Sequence, residues 1–187
     1  MSPSIIILIV VAVLALVAIG IYNRLVSLRA STNQAFADID VQLKQRHDLI
    51  PNLVETVKGY ATHEKSTLDA VISARNAAVS VRGPAGQAQA EQQLTSALGN
   101  IFALAESYPD LKANQNFLRL QADLSDIENK LAAARRFFNN AVQEYNAAIQ
   151  QFPAVLFAGM FGFKERGSFD VGEVARESLD APVQVKF

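Results

Sequence analysis

Two histidines each stand beside a carboxylate, His47 with Asp48 and His63 with Glu64, within the stretch RHDLIPNLVETVKGYATHE, Arg46 to Glu64. Imidazole next to carboxylate is raw material for a metal site or for general acid–base work. Whether the four can act together depends on the element that carries them. The histidines are 16 residues apart. On a continuous helix this turns the chain by about 160° beyond whole turns and separates them by about 24 Å along the axis. They can share an ion only if Pro51, which lies between them, folds the helix back. Zincin helices carry histidines four apart with a glutamate between, and di-iron bundles use Glu-x-x-His; neither spacing occurs here. A metal-dependent hydrolase or sensor using His47, Asp48, His63 and Glu64 is therefore the alternative reading, and the main reading expects no cofactor and no catalytic set. His47, four after Leu43 and three before Ile50, borders an apolar stripe where a seam-edge hydrogen bonder belongs. His63 reads as exposed.

Other chemistries fare no better. The chain has no cysteine, so thiolate nucleophiles, disulfides and cysteine zinc sites are excluded, while the compartment stays open. Its one Gly-rich piece, GPAG, lacks the lysine of a phosphate loop, and no Gly-x-Ser-x-Gly elbow occurs. Asp123, Asp126 and Glu128 precede Lys130, Arg135 and Arg136 at ordinary helix-surface spacing, worth a few tenths of a kcal/mol (about 0.3) per pair. With 17 Lys+Arg against 18 Asp+Glu, no basic excess points to nucleic acid.

The elements that carry these residues start with an apolar run. Ile5 to Ile21 contains no ionisable side chain and spans about 25 Å as a helix, slightly short of a hydrocarbon core. Tyr22 and the polar flank supply the interface. A cleavable signal is the competing reading, with Ala18-Ile19-Gly20 as its site, but MSPS has no charged side chain to begin one. Residues 1–23 are accordingly assigned as a transmembrane anchor. Arg24 and Arg29 just after the span favour an outside N-terminus and a cytoplasmic body at the cell (inner) membrane.

Residues 24–163 read as an all-α, up-and-down four-helix bundle. Phe36, Leu43, Ile50 and Val57 recur every seven, interleaved with Ile39, Leu53 and Tyr60, and the pattern continues through Leu68, Val71 and Ile72 towards Val79. This predicts one long helix from Ser31 that stops at RGPAGQ. A second follows from about Ala88 to Glu106, with Leu94, Leu98, Ile101 and Leu104 on one side. Pro109 interrupts again, and Asn114 or Asn116 can cap the next helix. That third helix has a seam in alternating steps of three and four: Phe117, Leu120, Leu124, Ile127, Leu131, Ala134, Phe138, Ala141, Tyr145, Ala148 and Phe152. It is expected to end at Phe152-Pro153. Glu128 and Arg135 lie seven apart on one face and can reach a polar cluster on a neighbouring helix. Asn139 and Asn146, also seven apart, each follow an aromatic of the seam and suit a register-fixing role. The apolar stretch from Pro153 to Phe163 covers an end of the bundle or dips into the membrane interface. Residues 164–187 read as a tail, partly extended at PVQVKF.

Ala35 to Glu64, together with YPDLKANQNFLRLQADL, ENKLAAARRFFNNAVQEYNAAIQQFP and the preceding span, closely resembles the LemA family. The matching positions include Arg46, Asp48, Pro51, Asn52, Glu128, Arg135, Asn139, Tyr145, Asn146, Phe152 and Pro153. Gln45, Asp123 and Phe138 depart from the family's usual residues, and Phe138 lacks the hydroxyl of the tyrosine common there. The resemblance implies a single-pass membrane protein with a four-helix soluble part and no established enzymatic activity. Pro51 is expected to bend its helix, with Arg46, Asp48 and Asn52 satisfying the freed backbone groups. Together these readings describe a non-enzymatic scaffold or adaptor in a lipid bilayer, a homo-oligomer or the partner of an unknown protein, that shapes its membrane; a signal-relaying bundle is the further alternative.

Overall fold

The computed structural model describes residues 2–169, and among them every regular element is helical. Helix α1 runs from Pro3–Lys58 without a break, 56 residues or about 84 Å at 1.5 Å per residue. Proline at its first position fits, because the amide it lacks has no partner there. Residues 2–20 are exposed throughout. An 18-residue window in this part of α1 has mean hydropathy 3.3 and is 0% buried, long and apolar enough to cross a membrane. Burial begins at Leu25 and returns at helical spacing through Ala35, Ile39, Leu43, Ile50, Leu53 and Val57.

The single helix expected from Ser31 towards Val79 is two helices. α1 stops at Lys58, Gly59 takes the cap, and α2 begins at Lys65 and ends at Ser80 (Lys65–Ser80). A straight continuation would carry Leu68 and Val71 past the end of the bundle; reversal buries both, together with Ala61. Tyr60 therefore leaves the stripe: it is 41% exposed, and its hydroxyl accepts from Asn114 Nδ2 at 2.8 Å. After Gly83, whose φ of +88° suits only glycine without strain, α3 occupies Pro84–Ala105. It starts four residues earlier than the apolar pattern suggests because Pro84 is a ready first position. A short α4, Pro109–Lys112, turns the chain over the buried Leu111. Then α5 covers Gln115–Gln150, capped by Asn114, whose Oδ1 accepts from the amides of Asn116 and Phe117 at 2.9 and 3.0 Å.

Three clusters show how α1 and α5 lie antiparallel. Leu25 packs with Tyr145 and Ala148, Ala35 and Ile39 with Leu131 and Phe138, and Ile50 to Val57 with Phe117 and Leu124. The other two helices, of 16 and 22 residues, are too short to follow this pair along its length. They cover its far half, so the four-helix section sits away from the apolar span. Nearer the span the α1–α5 groove is closed by the chain after α5: Phe163 joins Leu25 and Tyr145, and Phe169 joins Ala35 and Phe138. Residues 164–169, expected as the start of a tail, form a packed strap; PVQVKF lies outside the described residues. Phe152 does not belong to the seam. α5 stops at Gln150, and the Phe152 ring is 80% exposed.

Candidate functional site

Where the two short helices join the long pair, charged side chains are enclosed. Glu91 of α3 is 1% exposed and Arg46 of α1 is 4% exposed. Arg46 Nη1 donates to Glu91 Oε2 at 2.9 Å, and its Nη2 donates to Thr95 Oγ1 at 2.7 Å. The same Nη2 lies 3.3 Å from Glu128 Oε2 of α5. His47 Nε2 meets the other Glu91 oxygen at 2.6 Å. Arg135 Nη1 reaches Glu128 Oε1 at 3.7 Å. Burial draws the Arg135 guanidinium below its usual range, opposed by the charge of Glu128. One network therefore ties α1, α3 and α5 together.

Its centre, Arg46 and Glu91, is buried, while the Glu128 side chain at its edge is 42% exposed. Each Glu91 oxygen holds a donor, Oε2 from Arg46 and Oε1 from His47, and the carboxylate is shut away from solvent. Charges enclosed in this way contribute little net stability but fix which faces meet, since any other register leaves a charge unpaired. Of the quartet His47, Asp48, His63 and Glu64, only His47 belongs to this cluster. Asp48 is exposed and accepts from Lys44 Nζ at 2.7 Å; this hydrogen bond holds its carboxyl below the usual carboxylate range. His63 is exposed in the turn after α1, and Glu64 accepts from the Tyr108 hydroxyl at 3.4 Å. The fold-back at Pro51 that would unite them does not form, because α1 continues through it.

Pro51 does free a carbonyl, that of His47, one turn back. Its substitute donor is Arg75 of α2, with Nε at 3.4 Å from that oxygen, and not Arg46, Asp48 or Asn52. Arg46 points into the core. The Asn52 carbonyl accepts from Thr56 Oγ1 at 2.8 Å.

A second constellation holds the strap. Asn146 Nδ2 donates to the Arg166 carbonyl at 2.9 Å, and the Arg166 amide donates back to Asn146 Oδ1 at 2.9 Å. Asn139 repeats the pair with Phe169, at 3.1 and 2.7 Å. Seven helical residues rise about 10.5 Å, and three extended residues span about 10 Å. Two asparagine amides two turns apart therefore match backbone groups three residues apart, as a neighbouring strand would. Side chains fix the register: the Arg166 guanidinium lies 5.6 Å from the Tyr145 ring centroid and the Arg135 guanidinium 5.0 Å from that of Phe169. Arg166 Nη1 also donates to Thr32 and Asn33. Pro153, the last of the family-matching positions, is half-buried at the turn after α5.

Sequence reasoning passed over Glu91, Thr95 and Arg75. A signal existed: Glu91 stands three before Leu94 on the buried stripe of α3, and Arg75 stands between Val71 and Ala78 on that of α2. A charge within an apolar stripe requires a partner.

The fold defines an all-α bundle built on one long helix whose first part is an apolar segment of membrane-spanning length. The chain belongs to the LemA family, whose profile matches residues 35–187. It is similar to the Magnetosome protein MamQ of Magnetospirillum gryphiswaldense, 25% identical over 76% of this chain and 62% of the relative. Similar too are Magnetosome protein MamQ 2 of Paramagnetospirillum magneticum, 25% identical over 87% of this chain and 71% of the relative, and Protein LemA of Metamycoplasma hominis, 23% identical over 88% and 75%. The chain spans less than two thirds of the length of the first of these, 62%.

Proposed function

We propose that the chain is a non-enzymatic scaffold, anchored in the cell membrane by the apolar start of α1, that presents its bundle to further copies of itself or to a protein partner. The observation that carries this is the continuity of α1. One helix, Pro3–Lys58, is both the exposed apolar segment and the central member of the core, so movement or crowding of bundles is transmitted rigidly to the span. The closed Arg46–Glu91–His47 network favours an architectural over a catalytic use of the only enclosed charges described. Val41, Leu118 and Phe137 are large apolar side chains exposed on the bundle, a supply of surface for self-association. Arg24 and Arg29 favour a cytoplasmic bundle.

Cross-linking in native membranes and light scattering of detergent-solubilised protein test assembly: a ladder of multimers is expected, and a strict monomer at micromolar concentration would sink that part. Alkaline carbonate washing tests the anchor, with retention in the pellet expected and release to the supernatant counting against it.

A further inference from the structure

We infer that the turn following α5, residues 152–161, is a second membrane contact that lies in the boundary between acyl chains and headgroups beside the end of the α1 span. This rests on the anchor reading and deepens it. Phe152, Val155, Leu156, Met160 and Phe161 are 80%, 51%, 67%, 85% and 56% exposed. Five large apolar side chains within ten residues are costly to keep in water. Their backbone is not loose: Ala154, Ala158 and Phe163 are buried against Leu25 and Tyr145, which aims the remaining side chains away from the bundle.

What covers them follows from where they sit. The Tyr22 ring, at the end of the apolar run, makes edge contacts with Phe161 and Phe163 at centroid distances of 5.3 and 5.6 Å. The patch is thus continuous with the segment that would cross the bilayer, at the depth where aromatic rings prefer to lie. Ile5 to Ile21 as a helix spans about 25 Å against a core of about 30 Å, and an apolar turn sunk about 5–10 Å into the boundary makes up the deficit on one leaflet. Cations suit the adjoining headgroups: Arg29 lies 5.0 Å over the Phe163 ring, and Arg24 and Lys164 are exposed. A wedge in one leaflet beside a rigid rod gives the scaffold a means of bending its membrane.

The chain contains no tryptophan, so a single introduced indole reports its own depth. Full-length Met160→Trp, Leu14→Trp and Phe137→Trp are reconstituted separately into phosphatidylcholine–phosphatidylglycerol vesicles carrying bromines at graded acyl depths. Met160→Trp is expected to lose about half its emission to shallow bromines, Leu14→Trp to be quenched most by deep ones, and Phe137→Trp, on the exposed face of α5, to be unaffected. Quenching of Leu14→Trp without Met160→Trp overturns the interfacial contact and leaves the anchor standing. Blue-shifted but unquenched emission from Met160→Trp also overturns it, by showing that protein covers the patch. An unquenched Leu14→Trp instead defeats the anchor reading on which the inference rests.

Discussion

Arg75 Nε stands 3.4 Å from the carbonyl oxygen of His47, the acceptor that Pro51 leaves without its helical donor. A side chain from α2 thus completes the backbone of α1, and the proline that interrupts one helix binds it to another. Two substitutions separate these effects. Arg75→Ala should lower stability by about 1 kcal/mol, the worth of a partly exposed hydrogen bond. Pro51→Ala supplies the missing amide, so Arg75→Ala should cost much less in that background, a coupling of about 1 kcal/mol. Thermal melts of the four proteins in detergent measure it, and additive effects would show that Arg75 does not serve that carbonyl.

Helix α1 also carries Arg46, whose enclosed partner Glu91 belongs to α3. Glu91→Ala leaves Arg46 without its buried partner and should cost about 3–5 kcal/mol, whereas Arg46→Met combined with Glu91→Met should cost far less than the two single changes summed. Glu91→Gln keeps the shape and should fall between. Denaturant midpoints decide the order, and a Glu91→Ala protein as stable as the parent would mean that the network does not close the bundle.

These two relationships mark where sequence was informative and where it stopped. The seam from Phe117 to Tyr145 and the stripe from Ile39 to Val57 announce long amphipathic helices because each turn repeats the burial. The reversal between Lys58 and Lys65 left no comparable trace: Leu68 and Val71 keep helical spacing whether the chain runs on or turns back, and only burial against α1 distinguishes the two. Glu128 and Arg135 were recognisable as a pair on one face, yet their tie to Arg46 depends on Glu91, which is 45 residues away from it. Asn139 and Asn146 stood out by spacing. Their partners are backbone groups of residues 166 and 169, which carry no side-chain signature.

Asp48 gives the bundle a small acid-sensitive element. The hydrogen bond from Lys44 lowers its pKa in the fold, so the unfolded chain binds its proton first as pH falls. Its contribution is present above the ordinary carboxylate pKa and is lost as pH drops through the lower, folded value. Asp48→Asn should therefore lower neutral-pH stability slightly, leave stability below the folded pKa unchanged, and so flatten the acid limb between them. A curve identical to the parent's across the acid range counts against the Lys44 contact.

The two asparagine clasps make separable predictions at single amides. Asn146 Oδ1 accepts from the Arg166 amide at 2.9 Å and Asn139 Oδ1 from the Phe169 amide at 2.7 Å, so Asn146→Ala should speed hydrogen exchange at Arg166 and Asn139→Ala at Phe169. Each loses two hydrogen bonds, worth about 1 kcal/mol apiece, against which the Arg166–Tyr145 and Arg135–Phe169 contacts still hold the neighbouring residue. Asn→Asp at either position keeps the acceptor but loses the donor, and should release the strap less than alanine does. Since Phe169 packs among Ala35, Ile39 and Phe138, Asn139→Ala should also loosen the core beneath, and Asn146→Ala should not. Exchange at both amides that stays at the parent rate in both variants would show that the strap is held by its side chains alone.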